Sequence, residues 1–98
     1  MIDSPQVNHD PDRGVFEYRA GDFVAELAYR RRGERMVLVH TAVPLALEGH
    51  GVGGQLVRAA VAYAAGEGLT VVPACPFARA WLKRHPDVAA LVTIGEPA

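Results

Sequence analysis

Cysteine is nearly absent from this chain of 98 residues, which contains only Cys75. A single cysteine excludes an internal disulfide framework and is typical of proteins in the reducing cytoplasm, so we predict a cytoplasmic location. The four histidines and Cys75 also lack the short ligand spacings of zinc sites. We therefore predict a protein without a bound metal.

An excess of either charge is also lacking, since 10 Lys and Arg stand against 11 Asp and Glu. This balance argues against nucleic acid or an anionic membrane as a partner, and Arg30, Arg31 and Arg32 are expected to form a solvated hairpin end. No apolar run approaches the roughly 18 residues of a membrane-spanning helix, and residues 1–13 lack a signal-peptide pattern. We expect one domain over residues 1–98, as a monomer or a weak homodimer formed through edge strands.

Hydrophobic and polar residues alternate over much of the segment 15–43. This period of two predicts an antiparallel meander of three strands, with turns near Gly21 and Gly33. The third strand, residues 35–43, is apolar on both faces, as expected for a central strand. Residues 1–13 are predicted to be a loose lead-in that contains at most one short edge strand.

The period changes to that of an amphipathic helix over residues 52–65, followed by Gly66 and Gly68 as terminating residues. Residues 69–75 predict a short buried strand, parallel to the preceding one because a helix connects the two. A shorter helix is predicted from Pro76 to residue 85, and residues 87–94 form either a closing strand or a packed tail. The predicted class is α/β (α+β), with a mixed, mostly antiparallel sheet.

The loop at residues 49–54, GHGVGG, matches the dinucleotide-binding pattern G-x-G-x-x-G letter for letter. Its context excludes NAD, because Pro44 ends the preceding strand early and no acidic residue closes the following strand. Four glycines in six residues before a helix nevertheless suit a phosphate or pyrophosphate group, which backbone amides can approach closely. The alternative is that the glycines only permit tight packing between the helix and a strand.

Three motifs occur in a specific order: HTAVP at residues 40–44, the glycine loop, and CPF at residues 75–77 with RHP at residues 84–86. With them the chain resembles the GNAT superfamily of acyl-CoA-dependent N-acetyltransferases, and more narrowly its very short single-domain branch, sometimes grouped with the bacterial YjdJ-like proteins. The resemblance implies a minimal GNAT fold, with one long helix after the glycine loop, a short C-terminal helix and two parallel strands that splay apart. It also implies acetyl-CoA as acyl donor and an amine as acceptor.

The resemblance implies two groups of cofactor-binding residues. Backbone amides of the glycine loop would hold the CoA pyrophosphate, and the end of the third meander strand would pair with the pantetheine arm. Arg79 is a candidate for the adenosine 3′-phosphate, unless it lies on a solvated face. The implied cofactor-binding set is Thr41, Ala42, Val43, His50, Gly51, Val52, Gly53, Gly54, Gln55 and Arg79.

Two residues are candidate catalysts. Cys75 precedes a helix whose N-terminus favours a thiolate, so it either accepts the acetyl group, activates the amine, or packs as a small hydrophobic residue. His40 is either a general base or a structural histidine. Ala42 stands where many relatives carry Glu, and Glu48 where the superfamily carries Gln or Arg. These departures keep open a second function, a CoA-binding module or interaction protein with little or no catalysis.

Overall fold

The computed structural model describes residues 6–97 and shows a five-stranded sheet with its strands in sequence order. The strands are β1 (Val7–Asp10), β2 (Val15–Ala20), β3 (Phe23–Arg32), β4 (Arg35–Ala42) and β5 (Thr70–Pro73). Neighbours from β1 to β4 are antiparallel, and β4 pairs with β5 in parallel. The mixed, mostly antiparallel sheet is therefore confirmed.

Three α-helices follow the meander: α1 (Val52–Glu67), α2 (Pro76–Arg84) and α3 (Pro86–Ala89). A 3-10 turn at Leu45–Leu47 separates β4 from the glycine loop. The helix α1 crosses from β4 to β5, as the predicted parallel pairing requires. No helix in the described part of the chain is long and apolar enough to cross a membrane.

The core lies between one face of the sheet and the helices. Alternation along β3 buries Ala25, Leu27 and Tyr29 on this face, as predicted, and all three helices contribute to the same cluster. From α1, the fully buried side chains include Leu56, Val57, Ala60, Val61 and Ala64. The helical layer therefore covers one side of the sheet, and the side facing away from it is here called the outer face.

Strand β4 lies between β3 and β5, as expected for a central strand, but its apolar pattern on both faces does not correspond to burial on both faces. Met36 and Leu38 are fully buried, but the side chain of Val39 is 43% exposed and His40 is exposed as well. The reason is that α1, α2 and α3 share a single core, so the outer face of β4 has no helix against it. An apolar side chain in a strand shows that burial is possible, not that another element covers it.

At both ends of the chain, the structure adds detail to the predictions. The lead-in does contain an edge strand, β1, while residues 1–5 lie outside the described part. The predicted short helix from Pro76 is α2, and the segment expected to be a closing strand or a packed tail begins within a further short helix, α3, which starts at Pro86. Beyond α3 the chain is a packed tail, whose only strand-like pairing among the described residues is the bridge from Ile94 to Val71.

Candidate functional site

Strand β4 pairs with β5 only over its first four residues, 35–38, after which the two segments diverge. The parallel register joins residues 35–38 to residues 70–73, and a last hydrogen bond of 2.8 Å runs from the Cys75 amide to the Leu38 carbonyl. Beyond that point β4 continues to Ala42 with β3 as its partner. Along residues 39–42, the edge of β4 that faces β5 has no ladder partner within the described chain, so a gap opens in the sheet.

An open groove of about 780 Å³ lies at this gap. Its walls are residues 40–43 at the end of β4, the loop before α1, the first turn of α1, and the rings of Phe77 and Trp81 on α2. The lining includes Thr41, on the helical side of the sheet, together with His40 and Ala42 on the outer face. The lining of the groove therefore includes residues from both faces of the sheet.

A β-bulge at Val39 sets which side chains of β4 reach the groove. Leu38 lies opposite Tyr29 and His40 lies opposite Ala28, so Val39 is an extra residue without a partner in β3. Strict alternation would place His40 in the core beside Leu38, whereas the extra residue turns it to the outer face. His40 is consequently exposed at the groove and is not a structural core histidine.

Cys75 lies behind the groove and not on its surface. It is only 4% exposed and occupies the N-cap position of α2, as its place before Pro76 predicts. Its Sγ atom is 3.4 Å from the hydroxyl oxygen of Thr41, which does line the groove. Contact between Cys75 and the groove therefore passes through Thr41.

The first turn of α1 presents backbone amides to the groove. Gly51, the N-cap residue, has a φ of 75°, a left-handed conformation that favours glycine. The first amide with an intrahelical partner is that of Gln55, which donates to Gly51 at 3.1 Å, so the amides of Val52, Gly53 and Gly54 precede it. No acidic residue lies in this turn, and the free amides make it an anion-attracting end.

Gly53 and Gly54 also allow α1 and α2 to pack closely. A Cβ atom at Gly53 would lie 2.6 Å from the ring of Phe77, and one at Gly54 would lie 2.5 Å from Nε1 of Trp81. The packing role that the sequence left open for the glycines therefore applies to these two, although the contact is with a helix and not with a strand. Phe77 is a groove residue that sequence reasoning missed, although its spacing of four from Trp81 on α2 was a signal that both share a face.

Three predicted cofactor-binding residues do not line the groove. Arg79 has its Nη1 atom 3.7 Å from a carboxylate oxygen of Glu96 in the C-terminal tail. The Nδ1 atom of His50 lies 3.0 Å from the carbonyl oxygen of Glu48, so its ring folds back onto its own loop. Gln55 is half-buried on α1 and is absent from the groove lining. The remaining seven predicted residues all lie along the groove: Thr41, Ala42, Val43, Gly51, Val52, Gly53 and Gly54.

The groove has few fixed charges. Glu48 is exposed at its rim, and Arg58 places its guanidinium 5.1 Å from the centre of the Trp81 ring that forms one wall. In the part of the chain that the structure describes, no three His, Cys, Asp or Glu side chains are grouped so that they could hold a metal ion. The backbone amides at the start of α1 are therefore the main groups here that could bind an anion.

The family model of the GCN5-related N-acetyl-transferases matches residues 15–91. The chain belongs to this family of acetyltransferases. The match confirms the GNAT resemblance of the sequence motifs, and it contains both the gap between β4 and β5 and the first turn of α1.

A solved structure supports the GNAT fold over most of the chain. A GCN5-like protein from Staphylococcus aureus, determined in solution by NMR, aligns with a TM-score of 0.71 and 23% identity, covering 94% of this GNAT chain and 89% of its own. At this identity the likeness concerns the fold. No curated protein matches the chain.

Proposed function

We propose that this GNAT protein binds acetyl-CoA in the groove and transfers the acetyl group to an amine. The observation that carries the proposal is the continuity of the groove from the free amides of α1 to the unpaired edge of β4. The amides suit a pyrophosphate, and the strand edge suits the amide groups of a pantetheine arm, which would be added like a further strand. When bound, acetyl-CoA supplies the thioester, and the residues around the gap supply the rest.

His40 is the group that we propose as general base. It is exposed on the outer face beside the gap, where its imidazole can accept a proton from an amine bound at the groove. The backbone amides along the open edge of β4 can donate hydrogen bonds to the oxyanion that forms during acyl transfer. These two contributions need no side chain at Ala42.

Thr41 and Cys75 are proposed to stabilise the leaving thiolate of CoA, which takes its proton from the solvent that reaches the open groove. The hydroxyl of Thr41 lines the groove and can donate a hydrogen bond to the thiolate, and its contact of 3.4 Å with the Cys75 sulfur holds it in place. Burial of Cys75 behind Thr41 argues against the role of acyl acceptor, because a nucleophile must meet the thioester carbon directly. Cys75 thus acts through Thr41.

The test is calorimetric titration of acetyl-CoA against a matched pair of variants at Gly51. Asn and Asp tolerate the left-handed conformation better than most residues, and a Cβ at this position would meet no heavy atom within 4 Å. We expect Gly51→Asn to bind acetyl-CoA with an affinity close to that of the wild type. Gly51→Asp should weaken binding by about 10-fold. The reason is that its carboxylate faces the pyrophosphate, and we expect their repulsion to cost about 1 kcal/mol or more of binding free energy.

Each outcome of this titration has a clear meaning. Equal binding by Gly51→Asp and Gly51→Asn would show that α1 does not hold the phosphates. Absence of acetyl-CoA binding by the wild type would remove the proposal altogether, and NADH, which should not bind, controls for general nucleotide affinity.

The competing function is a CoA-binding module without turnover, which the methyl side chain of Ala42 favours by leaving that position without a base. Release of free CoA thiol in the presence of an amine panel distinguishes the two. For an enzyme we expect His40→Ala to lower kcat by about 100-fold or more, the usual range for a general base, with little change in acetyl-CoA affinity. The cytoplasmic location and the monomeric or weakly dimeric state stay predictions.

A further inference from the structure

Glu26 is a half-buried carboxylate on the outer face of the sheet. Its neighbours in β3, Ala25 and Leu27, are both fully buried on the helical side, so alternation directs Glu26 away from the helices. Among the described residues, no hydrogen bond or ion pair involves its side chain. A charged group in this position is available to a partner from outside the chain.

The register of β3 and β4 places Glu26 beside two residues that line the groove. Glu26 is directly opposite Ala42, and two residues further along β3 Ala28 is opposite His40. Directly opposed Cβ atoms are about 5 Å apart and diagonal ones about 7 Å, which a Glu side chain can span. Ala42 contributes only a methyl group, so its side chain does not extend toward the carboxylate of Glu26 as a larger one would.

The other charges on this face do not neutralise Glu26. Its opposite residue on β2 is Glu17, whose carboxylate oxygens lie 3.4 Å from Arg13 and 3.2 Å from Arg19. Both guanidinium groups are therefore engaged by Glu17, and the remaining titratable neighbour across the strands is His40. Within the described chain, no ion pair therefore engages the carboxylate of Glu26, which lies where no helix covers the sheet.

We infer that Glu26 binds the ammonium group of the acceptor on the outer face and positions it beside His40 at the gap. The inference rests on the proposed function and adds a substrate class to it. The acceptor is a primary alkylammonium group with no carboxylate beside its nitrogen, because such a carboxylate would be repelled by Glu26. A lysine side chain or a polyamine meets this condition, whereas the α-amine of a free amino acid does not.

The experiment is an NMR titration of backbone amide signals with n-butylamine, performed with and without saturating CoA, which cannot transfer an acetyl group. We expect saturable shifts at Glu26, Ala28 and Ala42 in the wild type, and no such shifts with glycine at the same concentration. Glu26→Gln should raise the apparent Kd for n-butylamine about 10-fold, and Glu26→Asp should retain part of the affinity. Glu34→Gln is the matched control, since it removes the same charge from the exposed turn at the far end of β4.

The CoA titration separates failure of this inference from failure of the proposed function. If Glu26→Gln binds n-butylamine as the wild type does, or if glycine binds equally well, the inference is overturned while CoA binding leaves the proposed function intact. If CoA does not shift the signals of α1, the proposed function fails, and the CoA-free titration still decides whether Glu26 binds the amine. In an active enzyme, Glu26→Gln should raise KM for the amine more than it lowers kcat.

Discussion

At the scale of single residues, the groove depends on one unpaired residue of β4. Val39 shifts the strand by one position, which turns His40 to the outer face and Thr41 toward Cys75. The motif HTAVP predicted that the end of this strand is functional, but its apolar pattern contains no sign of the bulge. A bulge is defined by the register between two strands. The sequence of β4 alone therefore cannot show that Val39 has no partner in β3.

Cys75 provides a prediction at this scale. Because it is 4% exposed beneath Thr41 and the start of α2, alkylation requires local opening of the structure. We expect iodoacetamide to modify native Cys75 at least about 100-fold more slowly than the denatured chain, since opening of a packed helix end is a minor population. The rates are measured by mass spectrometry over time.

The control for the labelling rate is Thr41→Val, which keeps the volume of the side chain and removes the hydroxyl. It should remain slow to label, because burial and not the hydrogen bond protects the thiol. Rapid labelling of the native wild type would show that Cys75 reaches the groove. That result would favour Cys75 as the acceptor of the acetyl group.

At the scale of elements, the first turn of α1 serves two neighbours at once. Its backbone amides face the groove, while the missing side chains of Gly53 and Gly54 let the rings of Phe77 and Trp81 approach from α2. The sequence of the glycine loop could not show whether its glycines serve amide access to the groove or close packing of helices. Both need backbone to be approached closely, and glycine satisfies each for the same steric reason.

Gly54→Ala tests the packing function. In an exposed helix this change stabilises by up to about 1 kcal/mol, but here the new Cβ would meet the indole of Trp81. We therefore expect Gly54→Ala to lower the free energy of unfolding by about 1–3 kcal/mol, the usual cost of overpacking a core. Urea denaturation measures the difference.

Gly66→Ala is the matched control in the same helix. A Cβ at Gly66 would meet no heavy atom within 4 Å, and its φ is not left-handed, so this variant should be as stable as the wild type or more so. If Gly54→Ala is not destabilised relative to Gly66→Ala, the rings on α2 can move aside and the close approach is not required for stability.

At the scale of the whole molecule, an aromatic cluster joins the edge strand β1 to the core. The ring of His9 stacks on Phe16 with 4.1 Å between centroids, and it forms a T-shaped pair with Tyr63 on α1 at 4.3 Å between centroids. Its Nε2 atom lies 2.6 Å from the hydroxyl of Tyr29. Partial burial lowers the pKa of His9 below its ordinary value of 6.5, against the opposing effect of Asp10.

This pKa shift predicts how stability depends on pH. Because the unfolded chain takes up the proton of His9 at a higher pH than the folded chain does, protonation favours unfolding. The contribution of His9 is complete above pH 6.5 and is lost as pH falls through the lower folded pKa. We expect Tm to be a few degrees lower at pH 5 than at pH 7, measured by circular dichroism.

The variant His9→Phe isolates this contribution, since it keeps a ring against Phe16 and removes the titrating group. Its decrease in Tm between pH 7 and pH 5 should be smaller than that of the wild type. The exposed His50→Gln serves as control and should behave like the wild type. An equal decrease in His9→Phe would assign the pH dependence to other groups.

Much of the fold was readable from residues that are close in sequence. Alternation predicted β2, β3 and β4, the helical period with Gly68 predicted α1, and a helix between two strands predicted the parallel pairing of β5. The order of three motifs predicted the GNAT family, and the glycine loop predicted the anion-attracting end of α1. These features are local, because backbone geometry imposes the periods of strands and helices on neighbouring residues.

Tertiary structure alone decided which of these residues meet. It paired Arg79 with Glu96 away from the groove, left the outer face of β4 without a helix, and brought Glu26 opposite Ala42. Each of these outcomes depends on strand register or on coverage by a distant segment, and neither is encoded in the period of any one element. The sequence by itself determined the elements and the family, and packing between distant segments determined which groups line the groove.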